Sequence, residues 1–275
     1  MSSAAERRTP PPPRKRDPFR YGVRLVPMRM PNGEIEYVRT PMPKEALLHP
    51  QDEDYPVESN AHDKDRTYLS YAIEPRLPRG WIVLSSCRVD WGVPGIEPHG
   101  PDISVFKGLR GPERDWKTFY VVREKAKPVA VVEITSSSTR QNDLKVKVDE
   151  YFRAGVPLYA IVDARTRKGK RHIQIIGYQA GPKSYEKMEL DTNGRLLLAP
   201  LGILLGAENG RVWCYDAKTG ERIDDHKTTA RARSAAEERA RIAEAEVSAA
   251  RQAKQEADEV IRRLQEEVRR LRGDA

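Results

Sequence analysis

Two carboxylates and two neighbouring lysines are the residues whose types and spacing could do chemistry in this chain. Asp102 opens the segment Pro101-Asp102-Ile103-Ser104-Val105-Phe106, at the mouth of an apolar stretch, and Glu133 interrupts the run Pro128-Val129-Ala130-Val131-Val132-Glu133-Ile134. A carboxylate inside such a run costs several kcal/mol unless a cation, a metal or hydrogen-bond donors compensate it. Glu133 therefore needs a partner. Lys145 and Lys147 follow it on a helical stretch, and a helical wheel lets either ammonium reach the sheet edge without choosing between them.

The elements that must position these groups can be read from periodicity. The runs after Asp102 and up to Ile134 have the near-continuous apolar character of strands covered on both faces. Thr135 to Asn142 reads as a polar loop, and Asp143 to Ala154 as a helix capped by Asn142 or Asp143, closed by Gly155 and stopped by Pro157. Leu144, Val148, Tyr151 and Phe152 give that helix a core-facing stripe. Leu158 to Asp163 supplies another buried strand with a carboxylate at its end. Strand, strand, helix, strand is an α/β arrangement, with a crossover helix joining two parallel neighbours.

These residues resemble the Uma2-like restriction endonucleases, a bacterial branch of the PD-(D/E)xK nuclease superfamily. The resemblance runs through Pro101-Asp102, Val131 to Thr139, Asp143, Lys147, Tyr151, Ala154-Gly155-Val156-Pro157 and Tyr159 to Asp163, and covers roughly residues 55 to 225. It implies a restriction-endonuclease-like mixed sheet flanked by helices, with Asp102 and Glu133 as ligands of Mg²⁺ or Mn²⁺. The superfamily's lysine two residues after the Glu is absent, since Thr135 stands there, and the family pattern places that lysine at Lys147, with Lys145 in reserve. Ser137 replaces the usual proline of the loop. An early helix in the family carries a His and sometimes a Glu facing the site, here His62 and Glu58, also held in reserve for catalysis. The implied reaction is metal-dependent hydrolysis of DNA phosphodiester bonds, with Lys147 stabilising developing negative charge.

The rest of the chain sets limits on that reading. The 275 residues hold one ordinary domain plus extensions, and the formal charge of +8 favours polyanionic partners. No run approaches the roughly 20 apolar residues of a membrane span, and Met1 to Arg8 lacks a secretory apolar segment. Cys87 and Cys214 lack metal-ligand spacing. A cytoplasmic protein with no membrane partner is expected.

Residues 1 to 20, with four consecutive prolines and Arg7, Arg8, Arg14, Lys15, Arg16 and Arg20, read as a disordered basic arm. Residues 21 to 56 hold short strands and a hairpin around Pro31-Asn32-Gly33. Val57 to Ile73 reads as a helix, and Trp81 to Leu84 as the first strand of a nuclease-like domain spanning residues 57 to 225. The insertion from Lys107 to Lys127 mixes basic residues with Trp116, Phe119 and Tyr120, as a groove that neutralises phosphates and stacks on bases would, or a hairpin whose aromatics cap the core. Lys107, Arg110, Arg114 and Lys117, with Arg140, are the candidate nucleic-acid contacts. Arg165 to Arg171 reads as a basic turn before a sheet-edge strand, His172 to Tyr178.

From Thr228 to Arg272 the composition turns to Ala, Glu and Arg. Ala236, Ala240, Ala243, Val247, Ala250, Lys254, Ala257, Ile261, Leu264, Val268 and Leu271 recur in alternating steps of four and three. That is a coiled-coil register, with a homodimer expected and Lys254, at an a position, limiting oligomer state or register. A rival reading makes the chain a noncatalytic nucleic-acid-binding or scaffold protein whose coil is the working part. Acyl transfer by Ser136, Ser137 or Ser138 is disfavoured, because no Gly-x-Ser-x-Gly elbow surrounds them.

Overall fold

The computed structural model describes residues 17–110 and 114–272. The expected basic arm lies outside the described residues except for its last four. The chain divides into two compact units, residues 1–223 and 224–275.

The first unit begins with three antiparallel strands, β1 (Gly22–Arg29), β2 (Ile35–Pro41) and β3 (Asp54–Pro56), in the order β2-β1-β3. The hairpin expected around Gly33 joins β1 to β2, with Val26 opposite Val38. Helix α1 (Asn60–Ile73) starts three residues later than the sequence predicts, because Ser59 accepts a hydrogen bond from the His62 amide and fixes the cap there.

After α1 come β4 (Trp81–Ser85), β5 (Arg88–Asp90), β6 (Ile103–Lys107), β7 (Thr118–Tyr120), the short α2 (Val121–Glu124) and β8 (Lys127–Ile134). Then follow α3 (Lys147–Arg153), β9 (Leu158–Arg167), β10 (Lys170–Ala180) and β11 (Tyr185–Lys187). Six of these strands form the central mixed sheet, in the order β11-β10-β9-β8-β6-β4. β8 and β9 pair in parallel across the α3 crossover, as the apolar runs predict. β10, expected at the edge, is covered by β11, and the expected basic turn is mostly strand, because β9 continues to Arg167 before turning at Lys168 and Gly169.

The sheet separates two cores. Ala130, Val132, Ile134, Ala160 and Val162 face Leu69, Ala72 and Ile73 of α1 and the small sheet β12 (Leu196–Leu198), β13 (Ile203–Glu208) and β14 (Arg211–Asp216). Val131, Tyr159 and Ile161 face Trp91, Phe106 and Tyr151. Alternation along β8 therefore turns Glu133 toward α3. Phe119 is fully buried beside Phe106, and Trp116 packs edge-on against it at 5.3 Å. Of the two readings of that insertion, the core-capping one describes these two aromatics.

The second unit is one helix, α4 (His226–Arg272). Val247, Ile261, Leu264 and Val268 are about half exposed on it, so the expected seam is an apolar face open to solvent in the single chain. Among the described residues no helix is long and apolar enough to cross a membrane.

Candidate active site

Asp102 stands at the entrance to β6 and Glu133 near the end of β8, on neighbouring strands of the sheet. Their side chains converge. The Ile134 amide donates to Asp102 Oδ2 at 2.8 Å, while the Asp102 amide lies 3.5 Å from Glu133 Oε2. Asp102 Oδ1 is 2.7 Å from His62 Nε2 of α1. Burial opposes an imidazolium at His62, but Asp102 outweighs it and raises the imidazole above its ordinary value.

Lys147 is the ammonium that reaches this pair. Its Nζ donates to Glu133 Oε1 at 2.8 Å and lies 2.9 Å from Asp143 Oδ1, one turn back. Burial works against its charge, yet Asp143 and Glu133 hold the ammonium well above its ordinary value. Lys145 is exposed and does not line the cavity that Lys147 borders. The wheel could not separate the two because the chain departs from regular helix here: Asn142–Val146 forms a wider π-type turn, which rotates the following residues relative to a 3.6-residue period. The same turn corrects the capping expectation, since neither Asn142 nor Asp143 caps the helix and Asp143 is buried facing Lys147.

The sequence places Tyr151 in the core stripe and in the family pattern without a role at the site, although its hydroxyl donates to Glu133 Oε1 at 2.6 Å. Asp143, expected as a cap and as part of the family pattern but not as a site residue, has two buried oxygens that accept no well-formed hydrogen bond. Burial pushes Asp143 up, and burial pushes Glu133 up to about 7 although the Lys147 charge pulls the other way. Two buried carboxylates, Glu133 and Asp143, thus contact one buried ammonium, with the buried Asp102 beside Glu133. This surplus of negative charge, carried on hard oxygen donors, fits a divalent cation. Glu58, His62 and Asp102 also place one ligand atom each within 4.8 Å of one another. Glu58 is meanwhile paired with Arg66.

Glu58, His62, Asp102, Glu133, Asp143 and Lys147 border a cavity of about 980 Å³, whereas Tyr151 does not. Of the expected nucleic-acid contacts, Lys117 and Arg140 line it, whereas Lys107, Arg110 and Arg114 do not. Lys107 lies over the Trp81 ring at 5.9 Å, and Arg114 is paired with Glu124. Arg140 and Arg165, which also line the cavity, bind the buried Asp163. Burial opposes its charge, but the hydrogen bonds from Arg140, Arg165 and Thr135 win and hold it at about 2.

The family described as "Uma2: Putative restriction endonuclease" matches residues 53–213, more than half of the sequence. The chain belongs to the Uma2 family. A solved structure similar to this Uma2 chain is a putative nuclease belonging to DUF820 from Anabaena variabilis, at 14% identity, covering 64% of this chain and 80% of that one with a TM-score of 0.37. No curated protein matches. The matched region opens just before β3 and ends within β14, so it takes in every residue of the Uma2 site.

Proposed function

We propose that this Uma2 domain is a metal-dependent endonuclease that hydrolyses phosphodiester bonds of DNA. The observation that carries the reading is the convergence of Asp102, Glu133 and Lys147 on one cavity, with Lys147 Nζ 2.8 Å from Glu133. Asp102 and Glu133 would hold Mg²⁺ or Mn²⁺, with Asp143 and His62 beside them. When bound, the cation supplies a Lewis acid for the scissile phosphate.

The chain's own residues divide the remaining work. The Ile134 amide and His62 orient the two oxygens of Asp102, and Tyr151 orients Glu133 through Oε1, leaving Oε2 on the Asp102 side. The Lys147 ammonium, kept charged by its acidic neighbours, is placed to stabilise negative charge developing on phosphate oxygens. The cavity, of about 980 Å³, is larger than a small anion fills.

Incubation with plasmid, single-stranded DNA and RNA under Mg²⁺, Mn²⁺ or EDTA tests this. Cleavage should require metal and disappear in Asp102→Ala, Glu133→Ala and Lys147→Ala variants that retain their fold. Substrates left intact under every metal would sink the nuclease and favour the second reading, a noncatalytic nucleic-acid-binding or scaffold protein. That reading draws its support from the exposed apolar face of α4. On either reading we infer that α4 self-associates as a coiled coil, most simply as a dimer.

A further inference from the structure

We propose that Arg140 and Arg165, set side by side by the carboxylate of Asp163, form a clamp for a nucleic-acid backbone phosphate at the cavity that the acidic pair also borders. The nature of the ligand rests on the nuclease reading above; the geometry does not. Asp163 is almost wholly buried and spends both oxygens on the two guanidiniums. Arg140 donates from Nε to Oδ1 at 2.7 Å and from Nη2 to Oδ2 at 3.0 Å, and Arg165 donates to Oδ2 from Nε at 3.0 Å and from Nη2 at 2.6 Å.

One arginine would neutralise that carboxylate. The second leaves a surplus positive charge, and both side chains border the cavity shared with Asp102 and Glu133, at 28% and 38% exposure. Among the described residues neither Nη1 has a hydrogen-bond partner, so each planar fork is fixed on its inner edge and free on its outer one. A fork immobilised in advance loses little freedom when it takes an anion, and two forks at one point match the oxygens of a phosphate diester.

The clamp is also in fixed register with the acidic pair. Thr135 Oγ1 donates to Asp163 Oδ1 at 3.1 Å and accepts from the Ala164 amide at 3.0 Å. Thr135 lies two residues beyond Glu133, about 6.6 Å along extended backbone. That short connection ties the clamp to the strand that carries Glu133, and both border one cavity. The lysine missing from position 135 is thus replaced by a hydroxyl that ties the β8 end to the clamp.

DNA affinity measured in EDTA by fluorescence anisotropy across a salt series tests the clamp without cleavage. Arg140→Ala and Arg165→Ala should each weaken binding at least fivefold and lower the slope of log K against log salt by about 0.9 on duplex DNA or about 0.7 on a single strand. Lys183→Ala, an equal charge change at an exposed position off the cavity, should leave both unchanged. Should an alanine variant fail to fold, Arg140→Lys and Arg165→Lys carry the test. Lysine keeps the charge but lacks the rigid planar fork that presents one edge to Asp163 and the other to a phosphate, so affinity falls while the slope stays. Slopes equal to wild type in both alanine variants, an equal drop in Lys183→Ala, or a wild type that binds no DNA overturns the clamp. A wild type that binds through both arginines yet cleaves nothing under any metal leaves the clamp standing and removes the nuclease.

Discussion

Lys147 and Tyr151, one turn apart on α3, close on the same oxygen of Glu133, the ammonium at 2.8 Å and the phenol at 2.6 Å. Glu133 is thereby held from the helix side, and its second oxygen is left on the Asp102 side. The helix that crosses between β8 and β9 is a structural necessity of parallel pairing. Here it also orients a carboxylate.

Removing the ammonium should cost stability as well as activity. Lys147→Met leaves Glu133 and Asp143 buried without a cation, and breaking one side of a buried pair costs about 3–5 kcal/mol. Urea denaturation should report a loss of that size, and adding Glu133→Gln to Lys147→Met should recover a large part of it. No recovery in the double variant would show that Lys147 contributes through packing rather than charge.

A buried histidine gives a pH dependence of known sign. The Trp91 indole donates to His99 Nδ1 at 2.9 Å, so Nε2 carries the proton and donates to Glu150 at 2.7 Å. Burial, with Lys147 and His49 nearby, lowers His99 to about 2, against an unfolded value of 6.5. A folded value below the unfolded one means that the unfolded chain binds the extra proton, so this contribution is full above pH 6.5 and is lost as pH falls toward 2. Glu133 and Asp143 are raised and act with the opposite sign, so the comparison is with His99→Gln at each pH. The stability advantage of wild type over that variant should shrink by about 2 kcal/mol between pH 7.5 and pH 5. A constant difference would mean that His99 is not held neutral.

Much of this site was legible in the sequence because strand patterning is local. Glu133 stands out as a charge inside an apolar run and Asp102 as a carboxylate at the entrance to a strand, whereas Asp163, expected at a strand end, lies within β9, which continues to Arg167. The choice of Lys147 over Lys145 was not legible from the wheel, since the π-type turn at Asn142–Val146 shifts the helical phase by a departure that no residue type announces. Tyr151 was read as core, and it is; its hydroxyl partner sits 18 residues away on a strand. His99 lay in a Gly- and Pro-rich stretch without periodicity, and its partner Glu150 is 51 residues distant. Phe119 was open to two readings because an aromatic in a basic stretch has the same spelling whether it stacks on a base or on Phe106.

Metal should stabilise the folded chain if Asp102 and Glu133 hold it. A ligand that binds only the native state adds about 2.7 kcal/mol at a hundredfold excess over its Kd. Mg²⁺ or Mn²⁺ should therefore raise the melting temperature of wild type, EDTA should reverse the rise, and Asp102→Asn should abolish it. An equal rise in Asp102→Asn would place the cation elsewhere, with the exposed acids of α4 as the first place to look.

The C-terminal helix makes the last prediction. Val247, Ile261, Leu264 and Val268 leave about half their surface exposed on a helix of 47 residues, and their steps of four and three place them on one seam. Each apolar side chain buried between two helices contributes roughly 1.5–3 kcal/mol relative to solvent, and the Ala-rich half contributes little. Association should therefore depend on the last two heptads. Sedimentation of the full chain should give a dimer that dissociates in Leu264→Asp and in Ile261→Asp, while Ala240→Asp weakens it less. Lys254 occupies the seam between the two halves, and Lys254→Leu should tighten association and broaden the range of oligomers. A monomeric wild type at tens of micromolar, or a dimer indifferent to Leu264→Asp, would show that the apolar stripe serves some other contact.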